Sequence, residues 1–310
     1  MKKNIIIILT LICSVQIYSQ QFPSFSLYSY DMMNYNPAVA GSRANQEIKL
    51  HHRSQWVGFE NAPKTDIISV NTSIKNNIGL GGSIYFDSEV TTKNFGANLM
   101  YSYHLLFDKF NISLGANTGI LQYQFNTSQL TPHNDLDPLI TGGIVKTKLI
   151  PNVGGGAFMY NENYYLGSSF SYYLPTQMSE GVDGRTNSEF YYYLMGGYNF
   201  HLSQDFALLA QTFMAGQKNA NTQIEIGLRG QYMETFLFGV GYRPKDAVVV
   251  STGIKVFKSI LVVYSYDIVT SKLRNYNSGS HELIVSYEFN RNKPQYYRDK
   301  NRIYKKISWN

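Results

Sequence analysis

Gln223-Ile224-Glu225-Ile226-Gly227-Leu228-Arg229-Gly230-Gln231-Tyr232 decides the fold. Ile224, Ile226 and Leu228 fall on one face of an extended chain, and Gln223, Glu225, Arg229 and Gln231 on the other. Successive side chains of a strand point to opposite faces, so this segment has one apolar and one polar side. Segments of roughly ten residues with this alternation, separated by turn residues, recur from about residue 47 to residue 290. When the polar set includes charges, such a series describes an all-β architecture, a transmembrane antiparallel β-barrel of outer-membrane type. Lipid lies outside, and water or packed polar groups lie inside.

Composition agrees. Of 310 residues, 15% are charged, against about 25% in soluble proteins. Aromatics reach 15%, with 26 Tyr, 18 Phe and 2 Trp. The mean hydropathy of -0.24 resembles a soluble chain, but in a barrel only alternate residues meet lipid. Lys2, Lys3 and the apolar run Ile5 to Ile12, followed by small and polar residues up to Ser19, read as a signal peptide over residues 1–19. Its removal is expected to expose Gln20 or Gln21. The single Cys13 lies within it, after a bulky Ile12 that suits a lipoprotein signal poorly. The mature chain would then have no disulfide. No stretch of eighteen consecutive apolar residues suggests a helical span.

About fourteen strands are expected. They run near Glu47–Trp56, Thr65–Ile74, Ile78–Asp87, Thr92–Leu106, Phe110–Gln124, Ile150–Tyr160 and Tyr164–Tyr173. They continue near Phe190–Leu202, Phe206–Gly216, Thr222–Tyr232, Thr235–Arg243, Ala247–Val256, Ile260–Asp267 and His281–Phe289. Ile150–Tyr160, broken by Gly154-Gly155-Gly156, and Phe206–Gly216 alternate least clearly. The glycines suggest a bend or a close backbone contact. Tight turns at Asn76-Asn77, Asp108-Lys109, Asn161–Asn163, Ser203–Asp205 and Phe257–Ser259 alternate with longer connections, the longest near residues 125–149, 174–189 and 268–280. Short turns belong to the periplasmic side and long loops to the outside. Tyr101, Tyr103, Tyr172, Tyr173, Tyr191, Tyr193, Tyr198, Tyr242 and Tyr266 fall toward strand ends. They are expected as interfacial girdles, the alternative being ordinary strand tyrosines.

Both ends carry extra material. Residues 20–46 have no clean period and are expected to sit in the periplasm or cap the lumen of a barrel at 47–290. Residues 291–310 contain seven Lys and Arg and one acid, 7 - 1 = +6, while the remainder holds 20 of each sign. This basic periplasmic tail suits an acidic periplasmic partner or an anionic polymer, or is simply a solvated end. Nucleic acid is not an expected partner at that location.

Three stretches resemble the PorP/SprF family of outer-membrane proteins, tied to the type IX secretion system and gliding motility. The first is Tyr30 to Gly41, with Asn36-Pro37-Ala38 and a closing Gly41. The second holds Arg53, Gln55 and Trp56, followed by Pro63 and Thr65. The third holds Asp267 and Gly279-Ser280-His281-Glu282. The similarity runs over nearly the whole mature chain, although the twenty-residue tail departs from it. The resemblance implies a barrel in the bacterial outer membrane that docks or anchors a secreted surface protein, such as an adhesin, through its C-terminal signal domain. Some relatives are instead tied to periplasmic secretion components, which the basic tail would meet.

No enzyme, cofactor or metal site is expected. His51 and His52 are adjacent on a strand and face opposite ways. Ser280-His281 are sequence neighbours, which seldom meet as nucleophile and base. Asn134-Asp135-Leu136-Asp137 offers calcium-type oxygens without the remaining ligands. Glu47, Lys49, Arg53, Glu225, Arg229, Arg243, Glu282 and Glu288 are expected to face inward. Their mixed signs argue against a strongly ion-selective pore: they would pair across the lumen and close it, or line a narrow channel. A filled lumen is expected because a docking protein needs no diffusive path. Partner contacts are expected from the long loops, through Asp135, Asp137, Asp183, Arg185, Arg274 and Tyr276. A passive channel and an anchor for periplasmic machinery are the alternatives.

Overall fold

The computed structural model describes residues 25–43, 46–75, 77–89, 91–126, 145–175, 189–217, 220–257 and 259–289, with two short strands at Tyr296–Asp299 and Arg302–Lys305. Fourteen strands form a closed antiparallel barrel. They are β1 Gln46–Ser54, β2 Lys64–Lys75, β3 Ile78–Glu89, β4 Thr92–Leu106, β5 Asn111–Asn126, β6 Val145–Tyr160 and β7 Tyr164–Tyr173. The circuit continues through β8 Glu189–His201, β9 Phe206–Gln217, β10 Gln223–Tyr232, β11 Phe236–Arg243, β12 Ala247–Val256, β13 Ile260–Val269 and β14 Ser280–Phe289. Each strand pairs with its sequence neighbours, and β1 pairs with β14 from Gln46↔Phe289 to Ser54↔His281. Closure leaves no unpaired edge for lipid to meet. Among the described residues no helix is long and apolar enough to cross a membrane.

The alternation has the expected sense. In β10, Ile226 is 54% exposed on the outer face while Glu225 is 3% exposed within. Phe236, Phe238, Val240 and Tyr242 of β11 also face out. All eight charged residues expected inside are buried, as is His51, while His52 is exposed. The strands match their expected positions within about two residues, except at the β5–β6 hairpin. There β6 begins at Val145 rather than Ile150, and β5 runs to Asn126. A membrane needs about 9–11 residues per strand, so a hairpin of two 16-residue strands projects beyond the lipid. Gln122 pairs with Leu149 there and Tyr123 with Lys148, so polar and apolar residues mix and the period-two signal ends before the ladder does.

The tyrosines divide by parity. Tyr101, Tyr103, Tyr198 and Tyr242 are exposed on the outer surface. Tyr173, Tyr191 and Tyr193 are buried and line the interior instead. A shift of one residue along a strand turns a ring from lipid to lumen, and in Tyr191-Tyr192-Tyr193 the residue type does not say which.

Residues 76–77, 107–110, 161–163, 202–205, 233–235 and 257–259 connect strands at the end where β1 begins and β14 finishes. Residues 55–63, 90–91, 127–144, 174–188, 218–222, 244–246 and 270–279 connect them at the other end, which therefore carries the long loops and two short turns. Tyr296–Asp299 (β15) and Arg302–Lys305 (β16) pair antiparallel beyond β14.

Ahead of β1, the chain from Phe25 to Ser42 lies inside the barrel and is almost entirely buried. It makes three short 3-10 turns, Tyr28–Tyr30, Met32–Asn34 and Pro37–Val39. Its Tyr28, Met32, Met33, Tyr35, Ala38 and Val39 form one apolar cluster with Met100, Phe158, Tyr165, Met195, Leu209 and Phe213 from the wall. At the depth of these turns the interior is therefore a packed core rather than a water-filled bore.

Candidate functional site: a plugged lumen and the vestibule above it

Local chemistry shapes the plug. Asn36 caps the third turn by accepting the Ala38 N–H on Oδ1, 3.0 Å, and its amide donates to the Ala157 carbonyl of β6, 3.0 Å. Pro37 occupies the first position of that turn, where a missing N–H costs nothing. Gly41 has φ +63° and donates to Asn71 Oδ1, 2.7 Å. A Cβ there would lie 2.4 Å from the backbone of Gly79. Gly115 and Gly156 leave room for the plug in the same way, since a Cβ on either would strike Ala38 or Asn36. The expected close contact at Gly154-Gly155-Gly156 is thus partly contact with the plug.

The plug is pinned by a charge cluster at the β1–β14 seam. Arg53 stands opposite Glu282 in register. It donates to Glu282 Oε2, 2.7 Å, and to Asp267 Oδ2, 2.9 Å. Arg243 also donates to Asp267, 2.6 Å. The remaining acceptors of both carboxylates serve the plug. Ser26 and Leu27 donate their N–H groups to Glu282, 2.9 and 2.8 Å, and Ser26 Oγ donates to Asp267 Oδ1, 2.7 Å. His51 Nε2 lies 2.7 Å from Glu282. One turn further along the plug, Asp31 meets Lys49 at 3.3 Å, and Lys49 also donates to the Tyr30 carbonyl. Burial alone would raise the Asp31 carboxyl, but Lys49 and His51 outweigh it and hold it well below the usual carboxylate range. The Arg229 guanidinium lies over the Tyr30 ring at 4.5 Å.

The remaining family-signature residues build the rim. The Gln55 N–H donates to the Pro63 carbonyl, 2.9 Å, and the Trp56 N–H to Ser280 Oγ, 3.1 Å. Gly279 adopts φ +88°, and its carbonyl accepts from the Val57 N–H. Thr65 Oγ1 donates to Asp87 Oδ1, 2.7 Å. His281 turns to the outer face against the Tyr264 hydroxyl, 2.6 Å, so Ser280 and His281 do not meet. The three stretches, more than 200 residues apart at their extremes, are therefore mostly one structure: plug, seam and rim. Ser26 and His51 belong to it too; alternation places His51 inward beside Lys49 and Arg53, while Ser26 carries no periodic or motif signal in the sequence.

Between the plug and the loop end of the barrel is a vestibule of about 1110 Å³. Phe25, Asp31, Met33 and Tyr35 of the plug form part of its lining. Trp56, Tyr85, Asp87, Asn94, Asn152, Tyr173 and Tyr191 line its walls. Of the expected partner contacts, Arg274 and Tyr276 are exposed at this end, at the 3-10 turn Lys272–Asn275. Asp135, Asp137, Asp183 and Arg185 lie outside the described residues, as does the Asn134–Asp137 oxygen cluster.

A closed barrel with an apolar belt and a plugged interior is an integral protein of the bacterial outer membrane. Residues 17–287 match the family described as Type IX secretion system membrane protein PorP/SprF. The chain belongs to that family. No curated protein matches the sequence. Among solved structures, the Ralstonia pickettii toluene transporter TbuX is similar at 10% identity and TM-score 0.51, over 83% of this chain and 92% of that one. A Pseudomonas aeruginosa FadL homologue is similar at 11% identity and TM-score 0.48, over 87% and 96%. At 10% identity the first likeness concerns the barrel fold alone.

Proposed function

We propose that this barrel docks a secreted type IX substrate, such as an adhesin, at the cell surface through the substrate's C-terminal domain. The observation that carries this reading is the division of the lumen. Its lower part is packed with apolar side chains and buried ion pairs, while the end bearing the long loops holds an open vestibule. A diffusive channel has no use for a packed bore, whereas a docking protein needs a rigid scaffold with a recognition surface at one end. Arg274 and Tyr276 are exposed at that rim and available as contacts, and Asp135, Asp137, Asp183 and Arg185, outside the described residues, are proposed as further contacts. Deleting the gene and measuring surface display of secreted proteins tests the reading. It requires loss of at least one from the surface and its co-purification with the detergent-solubilised barrel. Unchanged display of all of them ends it.

A second role for the tail rests on its charge. The surplus of +6 resides in residues 291–310, which follow β14 at the end with the short turns. That placement suits periplasmic secretion components with acidic surfaces. Removing residues 291–310 is expected to impair secretion while leaving the barrel folded, and normal secretion would contradict this role.

A further inference from the structure

Seven carboxylates are buried among the described residues: Asp31, Glu47, Asp87, Glu225, Asp267, Glu282 and Glu288. Six of them stand in ion pairs. Asp87 does not. It accepts from Thr65 and from Asn94, 2.7 and 3.2 Å, and both donors are neutral. Glu89, two residues on along the same face of β3, and Glu189 at the start of β8 join it on the vestibule wall. The described ion pairs include none to any of these three. Lys148, opposite Tyr123 in register, stands on the same side of the sheet and has an interaction of its own.

Aromatic rings surround these acids. Tyr85 and Tyr173 share a side-chain hydrogen bond, and the Tyr173 and Tyr191 rings meet edge-on at 5.7 Å. The Tyr191 hydroxyl donates to Glu189 Oε2, 2.6 Å. Tyr123 lies within electrostatic reach of both Glu89 and Glu189. Below this wall, Asn152 is 3% exposed and its Oδ1 meets no partner among the described residues. Its Nδ2 donates to Asn98, 2.9 Å. The Oδ1 atoms of Asn94 and Asn117, also on the vestibule, are unpartnered as well. A buried acceptor without a donor is costly, and tyrosine faces attract cations.

Carboxylates with no described ion pair, ring faces, and acceptors unpartnered among the described residues all ask for one kind of guest. We infer that the vestibule receives a basic, extended segment of the docked polypeptide. Its lysine or arginine side chains lie among Tyr85, Tyr123, Tyr173 and Tyr191 against Asp87, Glu89 and Glu189, and its backbone N–H groups reach the asparagine oxygens. The chain's own basic tail is not the guest, because it leaves the barrel at the opposite end. This inference rests on the docking reading and names the chemistry of the segment that enters.

Trp56 lines the vestibule, and the other tryptophan, Trp309, is in the tail. In a W309F background, Trp56 fluorescence therefore reports occupancy. The purified full-length barrel in detergent is titrated with a lysine- and arginine-rich decapeptide, an acidic decapeptide and spermine. The basic peptide is expected to saturate the signal and the acidic one to leave it unchanged. Affinity for the basic peptide is expected to fall at least about tenfold in E89Q/E189Q; Glu89 is exposed and Glu189 half-buried, and neither belongs to the packed core. Adding D87N lowers it further, and heat-modifiable gel mobility verifies that each variant is folded. Unchanged affinity in folded E89Q/E189Q overturns the inference, as does equal binding of the acidic peptide. Spermine binding as tightly as the peptide overturns it too, by marking a small-cation site. In cells, display that needs the barrel but survives E89Q/E189Q defeats this inference and leaves docking standing. Display that survives loss of the barrel defeats docking itself.

Discussion

Glu282 has both oxygens committed: to Arg53, to His51 and to the N–H groups of Ser26 and Leu27. Glu282→Gln removes the charge that Arg53 answers and turns an acceptor into a donor facing other donors. Breaking one side of a buried pair typically costs about 3–5 kcal/mol, so E282Q is expected to lower unfolding stability in urea by that order and to loosen the plug. Asp31 adds a pH dependence. Its folded-state pKa is depressed, with Lys49 and His51 overcoming burial. The stabilisation is thus fully present above the unfolded value near 3.9 and is lost as pH falls below it toward the folded value. Asp31→Asn is expected to be less stable than the parent at pH 7, with the gap narrowing in acid, as read from urea midpoints between pH 3 and 7. These roles were only partly legible in the sequence. Arg53, Asp267 and Glu282 could be marked as family-signature positions. Yet only the register of β1 on β14 brings Arg53 to Glu282, and no spacing rule joins positions 229 residues apart.

At the scale of elements, alternation was decisive wherever one face meets lipid. β10 and β11 emerged almost residue for residue, since Ile226 and Val240 must face out while Glu225 and Arg243 are buried. Substituting Leu228, exposed on that outer face, by Arg is expected to cost about 2–4 kcal/mol near mid-membrane, measured by refolding into lipid vesicles. The signal failed where lipid does not act: at the β5–β6 extension, at the run of tyrosines in β8, and in the plug. The plug has no period because it is buried on all sides, so neither strand nor helix spacing applies. Met233-Glu234 between β10 and β11 takes positive φ at both residues without the usual Asn or Gly. Removing residues 25–43 would strip Asp267 and Glu282 of plug donors and Arg53 of its Ser26 acceptor, and expose the apolar cluster to water. The deleted barrel is expected to lose its heat-modifiable folded band rather than become an open pore.

For the whole molecule, the account makes the plug part of the folded core and the loop end the working surface. The seam joining the first and last strands is also where the plug is pinned, so closure of the barrel and closure of the lumen depend on the same residues. Planar-bilayer recording of the intact purified chain tests this most directly. A plugged docking barrel should insert without steady ohmic current at any ionic strength. Stable, large single-channel conductance from the unmodified protein would show a continuous water path past residues 25–43 and contradict the account.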